Sequence, residues 1–367
     1  MIRMTAIALS VGAALGLTGC VLPPPPPTGP TGLYLDMQPD IVPVMTPTGS
    51  PITWGSAPNI DPNYGKTLYA GTGIQQADSR PALVNGNEPL RMWEADPHDG
   101  RTNRPAIIWL HGGGFAVGID SMAQLASSSG AEYAKRGYVG FSVEYRTDTT
   151  LVPNGTSRPP SLCQWVQDNE DVTDPLWVQR KETCKNNMIA AQRDVQAFVR
   201  YLRAHASEYG IDPNRIAVGG FSAGAVLANL TAYRSDDVGN VSYFAGDDRS
   251  ASNSRIQAGF GASGCLFSDN TSGVLPDIGA GDAPVSLISA KFDGAVDYRC
   301  VANSVLKARA AGLEAELTSY CASNLHAANL YAPNKAKTDT QWTQFLAREL
   351  QLRTDIPASV PNPVCPL

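Results

Sequence analysis

Residues 217–230, AVGGFSAGAVLANL, decide how the rest of the chain is read. The first part is apolar and strand-like, the last part is rich in Ala and Leu and helix-like, and Gly220, Phe221, Ser222, Ala223 and Gly224 stand between them. A strand that passes straight into a helix through Gly-x-Ser-x-Gly holds its serine on a turn so tight that neighbouring side chains would clash. The serine oxygen then projects at the carboxyl edge of a sheet. The following helix N-terminus favours negative charge at the same point. Ser222 is therefore the candidate nucleophile, and its partners should lie at the same edge.

A serine hydroxyl needs a base to become a good nucleophile, and the chain has four histidines. His98 lies in the turn DPHDG, where it reads as solvated, and His205 sits in a long helical run with an exposed side chain as its ordinary role. His111 belongs to a glycine loop. His326 comes just past the strand-like run AELTSYC (315–321), so it falls at the carboxyl edge and is the candidate general base. A carboxylate that orients this imidazole should also follow a strand and precede the histidine. In APVSLISAKFDGAVDY (283–298), Asp293 and Asp297 follow the strand, whereas Asp277 and Asp282 come before it. Asp293 is nearer the strand end and is the candidate. Asp297 is its rival, with a first-turn acid of the next helix as its structural role.

The loop LHGGGF (110–115) follows the run AIIWL and so lies at the same edge. Three consecutive glycines weaken secondary structure but let backbone approach a reacting carbonyl closely. Gly113 and Gly114, with Ala223, are the candidate donors to a developing oxyanion. His111 reads as a buried brace for that loop.

Around these motifs, apolar strand-like runs alternate with amphipathic helical ones. PLRMWEA, AIIWL, YVGFSVEY, RIAVGGF, IQAGFGA, VSLISA and AELTSYC read as strands. SMAQLASSSGAEYAKRG, AVLANLTAYR, VANSVLKARAAG and TQWTQFLARELQL read as helices. So does residues 186–210, with Ala191, Val195, Phe198, Val199 and Leu202 on one face and Gly210 as its stop. Short apolar strands separated by helices predict an α/β fold with a mostly parallel sheet covered on both faces. Ligands of such sheets bind beyond the carboxyl ends of the strands.

The chain resembles the α/β-hydrolase carboxylesterases of the hormone-sensitive-lipase-like and feruloyl- or acetyl-esterase-like type. The resemblance runs from about residue 89 to residue 352 and rests on HGGGFAVG, VEYR, RDVQAFVRYLRAHASEYGIDPNRIAVGGFSAGA, FDGAV and His326. It implies ester hydrolysis through an acyl-enzyme, with a small-molecule or polymer-linked ester as substrate and neither cofactor nor metal. The chain departs from the pattern in two places. Phe221 precedes the serine where hormone-sensitive-lipase-like enzymes usually carry an acid, and Asp297 stands where proline is frequent. Residues 147–186 form an insertion leaving the carboxyl edge. It holds Trp165, Trp177, Cys163 and Cys184, and reads as a cap stapled over the site, a peripheral loop being the alternative. A prolyl-oligopeptidase-like peptidase shares the residue order but usually brings a large extra domain. A catalytically silent hydrolase fold kept for binding is the other alternative.

The remaining features concern placement. Residues 1–19 carry Arg3 and a short apolar run ending in LTGC, which resembles a bacterial lipobox with Cys20 as the lipidated residue. Residues 20–32, with five consecutive prolines, read as a stiff tether, and 33–367 as the hydrolase domain with a Pro/Gly-rich lead-in at 33–63. This predicts attachment to a bacterial membrane of the cell envelope. Of seven cysteines, the six beyond Cys20 suit an oxidising compartment, with Cys163 and Cys184 the first pair expected to bond. No metal-site spacing is present. A net charge of -6 without a basic block gives no support to nucleic-acid binding.

Overall fold

The segment Arg104–Leu110 is buried at every position, as a strand covered on both faces must be. The computed structural model describes residues 32–61, 63–64, 80–116, 122–152, 160–266, 278–359 and 362–366. The signal segment 1–19, Cys20 and all of the tether except Gly32 lie outside the described residues.

Among the described residues, nine strands form one sheet. They are β1 (Val44–Met45), β2 (Ile52–Pro58), β3 (Asn87–Asp96), β4 (Arg104–Leu110) and β5 (Val139–Val143). Next come β6 (Ile211–Phe221), β7 (Ala258–Ala262), β8 (Val285–Ala290) and β9 (Ala315–Tyr320). Their order is β1-β3-β5-β4-β6-β7-β8-β9, with β2 also on β3. The strands from β5 to β9 in that order are parallel; β1, β2 and β3 add an antiparallel edge.

The helices are α1 (Met122–Leu125), continued through a π-turn into α2 (Ala131–Ala134), then α3 (Leu162–Asp168), α4 (Pro175–Ala204) and α5 (Ala223–Tyr233). They continue with α6 (Ala251–Ser254), α7 (Tyr298–Ala310), α8 (Ala327–Tyr331) and α9 (Lys335–Glu349). Among the described residues, no helix is long and apolar enough to cross a membrane.

The period of two along β4 divides the core between two faces. Ala106, Ile108 and Leu110 pack into a cluster with Val195, Phe198 and Leu202 of α4 and Val301 and Val305 of α7. Ile107 and Trp109 point the other way, into a cluster with Phe260, Trp342 and Phe345. Helix α5 is buried at every residue, which suits a segment apolar on all sides.

All seven strand-like runs are strands, but the structure adds two strands and corrects both ends of the long helix. Two further strands, β1 and β2, lie in the lead-in at 33–63. The long helix begins not at residue 186 but at Pro175, where Pro takes the first helical position and the Asp174 side chain accepts the Leu176 N–H at 2.9 Å. It ends at Ala204, six residues before Gly210. The segment 147–186 is therefore continuous with a core helix: its last residues, from Pro175, are the first turns of α4. Three disulfides cross the described chain, Cys163–Cys184, Cys265–Cys300 and Cys321–Cys365.

Candidate active site

Strand β4 lies between β5 and β6, so chain connections diverge to the two sides of this point. Such a divergence leaves a crevice at the carboxyl edge. The loop from His111 leaves β4 there, and Ser222 leaves β6 beside it.

Ser222 has φ +54° and ψ −120°, a conformation that costs roughly 1–3 kcal/mol in a non-glycine residue. The surroundings enforce it. A Cβ on Gly220 would lie 2.6 Å from the carbonyl carbon of Gly224, and one on Gly224 would lie 2.6 Å from the carbonyl oxygen of His111. Both flanking positions therefore exclude a side chain. The Ser222 N–H donates to Ala262 at 2.9 Å, and its carbonyl accepts the Val226 N–H, which starts α5. The N–H groups of the first turn, Ala223 first among them, have no acceptor within the helix.

The structure brings His326 and Asp293 to this serine. His326 Nε2 lies 2.8 Å from Ser222 Oγ, and Nδ1 lies 2.9 Å from both carboxylate oxygens of Asp293. Asp293 also accepts the N–H groups of Ala295 at 2.9 Å and Val296 at 3.1 Å. Burial pushes its pKa up, but the hydrogen bonds from His326, Ser263 and the Ala295 N–H outweigh that and hold it below the usual carboxylate value. An ionised Asp293 makes Nδ1 the protonated nitrogen, which leaves the Nε2 lone pair facing the hydroxyl. Asp297 goes elsewhere: it caps α7, accepting the Arg299 N–H at 2.8 Å and pairing with its guanidinium.

The glycine loop packs onto the same turn. A Cβ on Gly112 would stand 3.1 Å from Ser222 Cβ, and Gly113 and Gly114 have φ of +118° and +60°. His111 is buried and stacked on Tyr145, with Nδ1 against the Gly112 carbonyl. Burial pushes its pKa down to about 4, against a smaller opposing effect of the Gly112 carbonyl, so it stays neutral. His98 is exposed in a turn. His205 departs from the expected exposed helical side chain: it ends α4, half-buried, its ring 4.1 Å from that of Tyr201.

A cleft of about 340 Å³ opens over Ser222. One wall is Gly114, Phe115, Ala223 and Val226; the other is Val166, Trp177, Met188 and the Cys163–Cys184 bridge. Residues of the segment 147–186 thus border the cleft. Among the described residues, no cluster of three or more His, Cys, Asp or Glu side chains could hold a metal ion.

Two relationships escaped the sequence reading. Arg146 of VEYR and Asp194 of RDV form a buried pair, with Nε–Oδ1 at 2.9 Å, so those two motifs are halves of one brace. Ser263, directly after β7, touches both the acid and the base loops. Its place after a strand of the same edge was the available signal.

The BD-FAE family model matches residues 178–265. Endo-1,4-beta-xylanase B of Butyrivibrio fibrisolvens is 26% identical over 141 residues, which is 38% of this chain and 17% of that protein. The match thus spans about a sixth of the curated relative. Among solved structures, native esterase 2 of Thermogutta terrifontis superposes with a TM-score of 0.54 at 18% identity, covering 78% of this chain and 95% of that one. The same esterase phosphorylated by paraoxon gives 0.52 at 18% identity, covering 74% and 93%. The chain has the α/β-hydrolase fold.

Proposed function

We propose that the protein is a serine carboxylesterase acting on small-molecule or polymer-linked esters through an acyl-enzyme. The observation that carries this reading is the unbroken hydrogen-bonded chain that runs from Ser222, which lines the cleft, through His326 to Asp293. Ser222 Oγ attacks the ester carbonyl carbon while His326 Nε2 takes its proton. The N–H groups of Gly113, Gly114 and Ala223 receive the resulting oxyanion, each worth about 3–4 kcal/mol of barrier. His326 then protonates the departing alcohol, and the acyl group remains on Ser222. Water, deprotonated by the same nitrogen, releases the acid. Asp293 stays ionised throughout and holds the imidazole in place.

The BD-FAE segment and the shared fold with an esterase that paraoxon phosphorylates support the same chemistry. The test is paraoxon labelling followed by mass analysis of the peptide bearing Ser222, alongside turnover of p-nitrophenyl esters by wild type and Ser222→Ala. Labelling of Ser222 and loss of turnover in the variant are expected. Faster amide than ester turnover would point to a peptidase, and neither labelling nor turnover to a silent binding protein. The lipobox-like LTGC further supports envelope anchoring through Cys20; Cys20→Ala should move the protein from the membrane to the soluble fraction.

A further inference from the structure

We propose that Ser263 is a positioning residue that holds Asp293 and His326 in register; this rests on the esterase reading for its catalytic meaning. Ser263 is the first residue after β7, and β7 lies between β6, which delivers Ser222, and β8, which delivers Asp293. It is wholly buried and has φ +56°. Glycine adopts that φ more readily, so the side chain is what distinguishes serine at this position.

That side chain has two neighbours. Its Oγ accepts the N–H of Ala327 at 2.9 Å. Ala327 is the residue after His326 and the first of α8, so its N–H has no acceptor within the helix. His326 stands at the N-cap of α8 but makes no side-chain capping bond there, its ring being turned to Ser222 and Asp293. Ser263 supplies that bond from another loop. A buried hydroxyl that accepts one hydrogen bond still carries a proton to place. The structure assigns that proton to the nearby Asp293 carboxylate, a hydrogen bond that helps hold the carboxyl below its usual range.

The segment bearing Ser263 has little freedom to drift. Its N–H donates to Ile288 of β8 at 3.0 Å. A Cβ on the next residue, Gly264, would lie 2.6 Å from the carbonyl oxygen of Ala225 in α5. Two residues on, the Cys265–Cys300 disulfide ties the segment to α7, which begins just past the acid loop, and the Leu266 N–H donates to Ser304 Oγ at 2.9 Å. One fixed hydroxyl therefore spans the acid and the backbone adjoining the base.

The experiment compares Ser263→Ala and Ser263→Gly with wild type. Glycine suits the positive φ, so it keeps the test open if the alanine variant fails to fold; thermal unfolding establishes that each is native. Two readouts are taken: the kcat and KM for p-nitrophenyl acetate, and the low-field proton NMR signal of His326 Nδ1–H, assigned by its loss in His326→Ala. The expected result is a kcat lower by roughly 10–100-fold, the scale of one hydrogen bond to a charged group, with KM within about twofold and the signal shifted or broadened. A folded variant whose signal is unmoved overturns the proposal, whatever its kcat. If wild type hydrolyses no ester, the esterase reading fails on its own, and the NMR comparison still decides the role of Ser263.

Discussion

The imidazole of His111 lies flat on the phenol ring of Tyr145, centroids 4.2 Å apart and planes 8° from parallel. The Tyr145 hydroxyl donates to the His111 carbonyl at 2.9 Å, so both ring and backbone of the residue before the three glycines are clamped. A loop of glycines has no side chains of its own to fix it. Under the proposed mechanism its backbone must be held still to receive an oxyanion, and this neighbour supplies rigidity.

His111→Phe keeps the stack and removes the titrating group. In the native state the His111 pKa is about 4, lowered from 6.5 first by burial. Its contribution is therefore complete above about pH 6.5 and lost as pH falls toward 4, because the unfolded chain binds a proton that the folded one refuses. Urea midpoints measured across that window should fall less steeply in the variant. An equal slope would assign the acid loss in this window to other groups; Asp293, held below the usual carboxylate value, acts in the same direction but mainly at lower pH.

Gly224→Ala tests the nucleophile turn. Its Cβ would meet the carbonyl oxygens of Leu110 and His111, which belong to backbone that cannot swing aside as a side chain can. Overpacking of this kind costs about 1–3 kcal/mol, and it would also displace the glycine loop from Ser222. Chemical denaturation and ester turnover should both register the change. Unchanged stability would mean that the two loops can separate freely.

Asp293→Asn and Asp297→Asn separate the two acids. An amide at 293 would favour the wrong imidazole tautomer, and kcat should fall by roughly 10⁴-fold with the fold retained. An amide at 297 removes a charge from the α7 cap but leaves a competent capping side chain, so stability should change by less than about 1 kcal/mol and kcat by little. The large kcat loss appearing at 297 instead would move the acid assignment there.

The fold was legible because its signals are local. AIIWL is apolar throughout and VSLISA carries only small serines among its apolar residues, and such runs between helices have few other readings. Ser222, Asp293 and His326 were legible because each follows such a strand. β2 was not, because its burial is mixed and its TWGSAP lacks an apolar run; it is a strand through pairing with β3. The start of α4 was missed although Asp174-Pro175 is a helix-start signal, because the polar stretch QRKETCKNN hides the apolar period. Ser263 was illegible for a different reason. Its role depends on Ala327 and Asp293, which are brought near it only by the parallel order of β7, β8 and β9.

Replacing Cys163 and Cys184 together by serine tests whether the cap shapes the cleft. The bridge closes a segment 21 residues long in sequence between the start of α3 and the second half of the cap, and loops of that size give about 3 kcal/mol of stabilisation in the chain-entropy account. Beneath it Trp177 is buried against Val166, its indole N–H donating to the Val166 carbonyl at 2.9 Å. That small cluster is attached to α4, whose later turns belong to the main core. Loss of the bridge should therefore loosen α3 and the first turns of α4 rather than unfold the domain. Since Val166, Trp177 and both cysteines wall the cleft while Ser222, Asp293 and His326 are held by the segments after β6, β8 and β9, KM should rise severalfold and kcat for p-nitrophenyl acetate should stay near wild type. A matched fall in kcat would mean that the cap also positions the catalytic residues, and an unchanged KM across a series of acyl lengths would remove the cap from substrate binding.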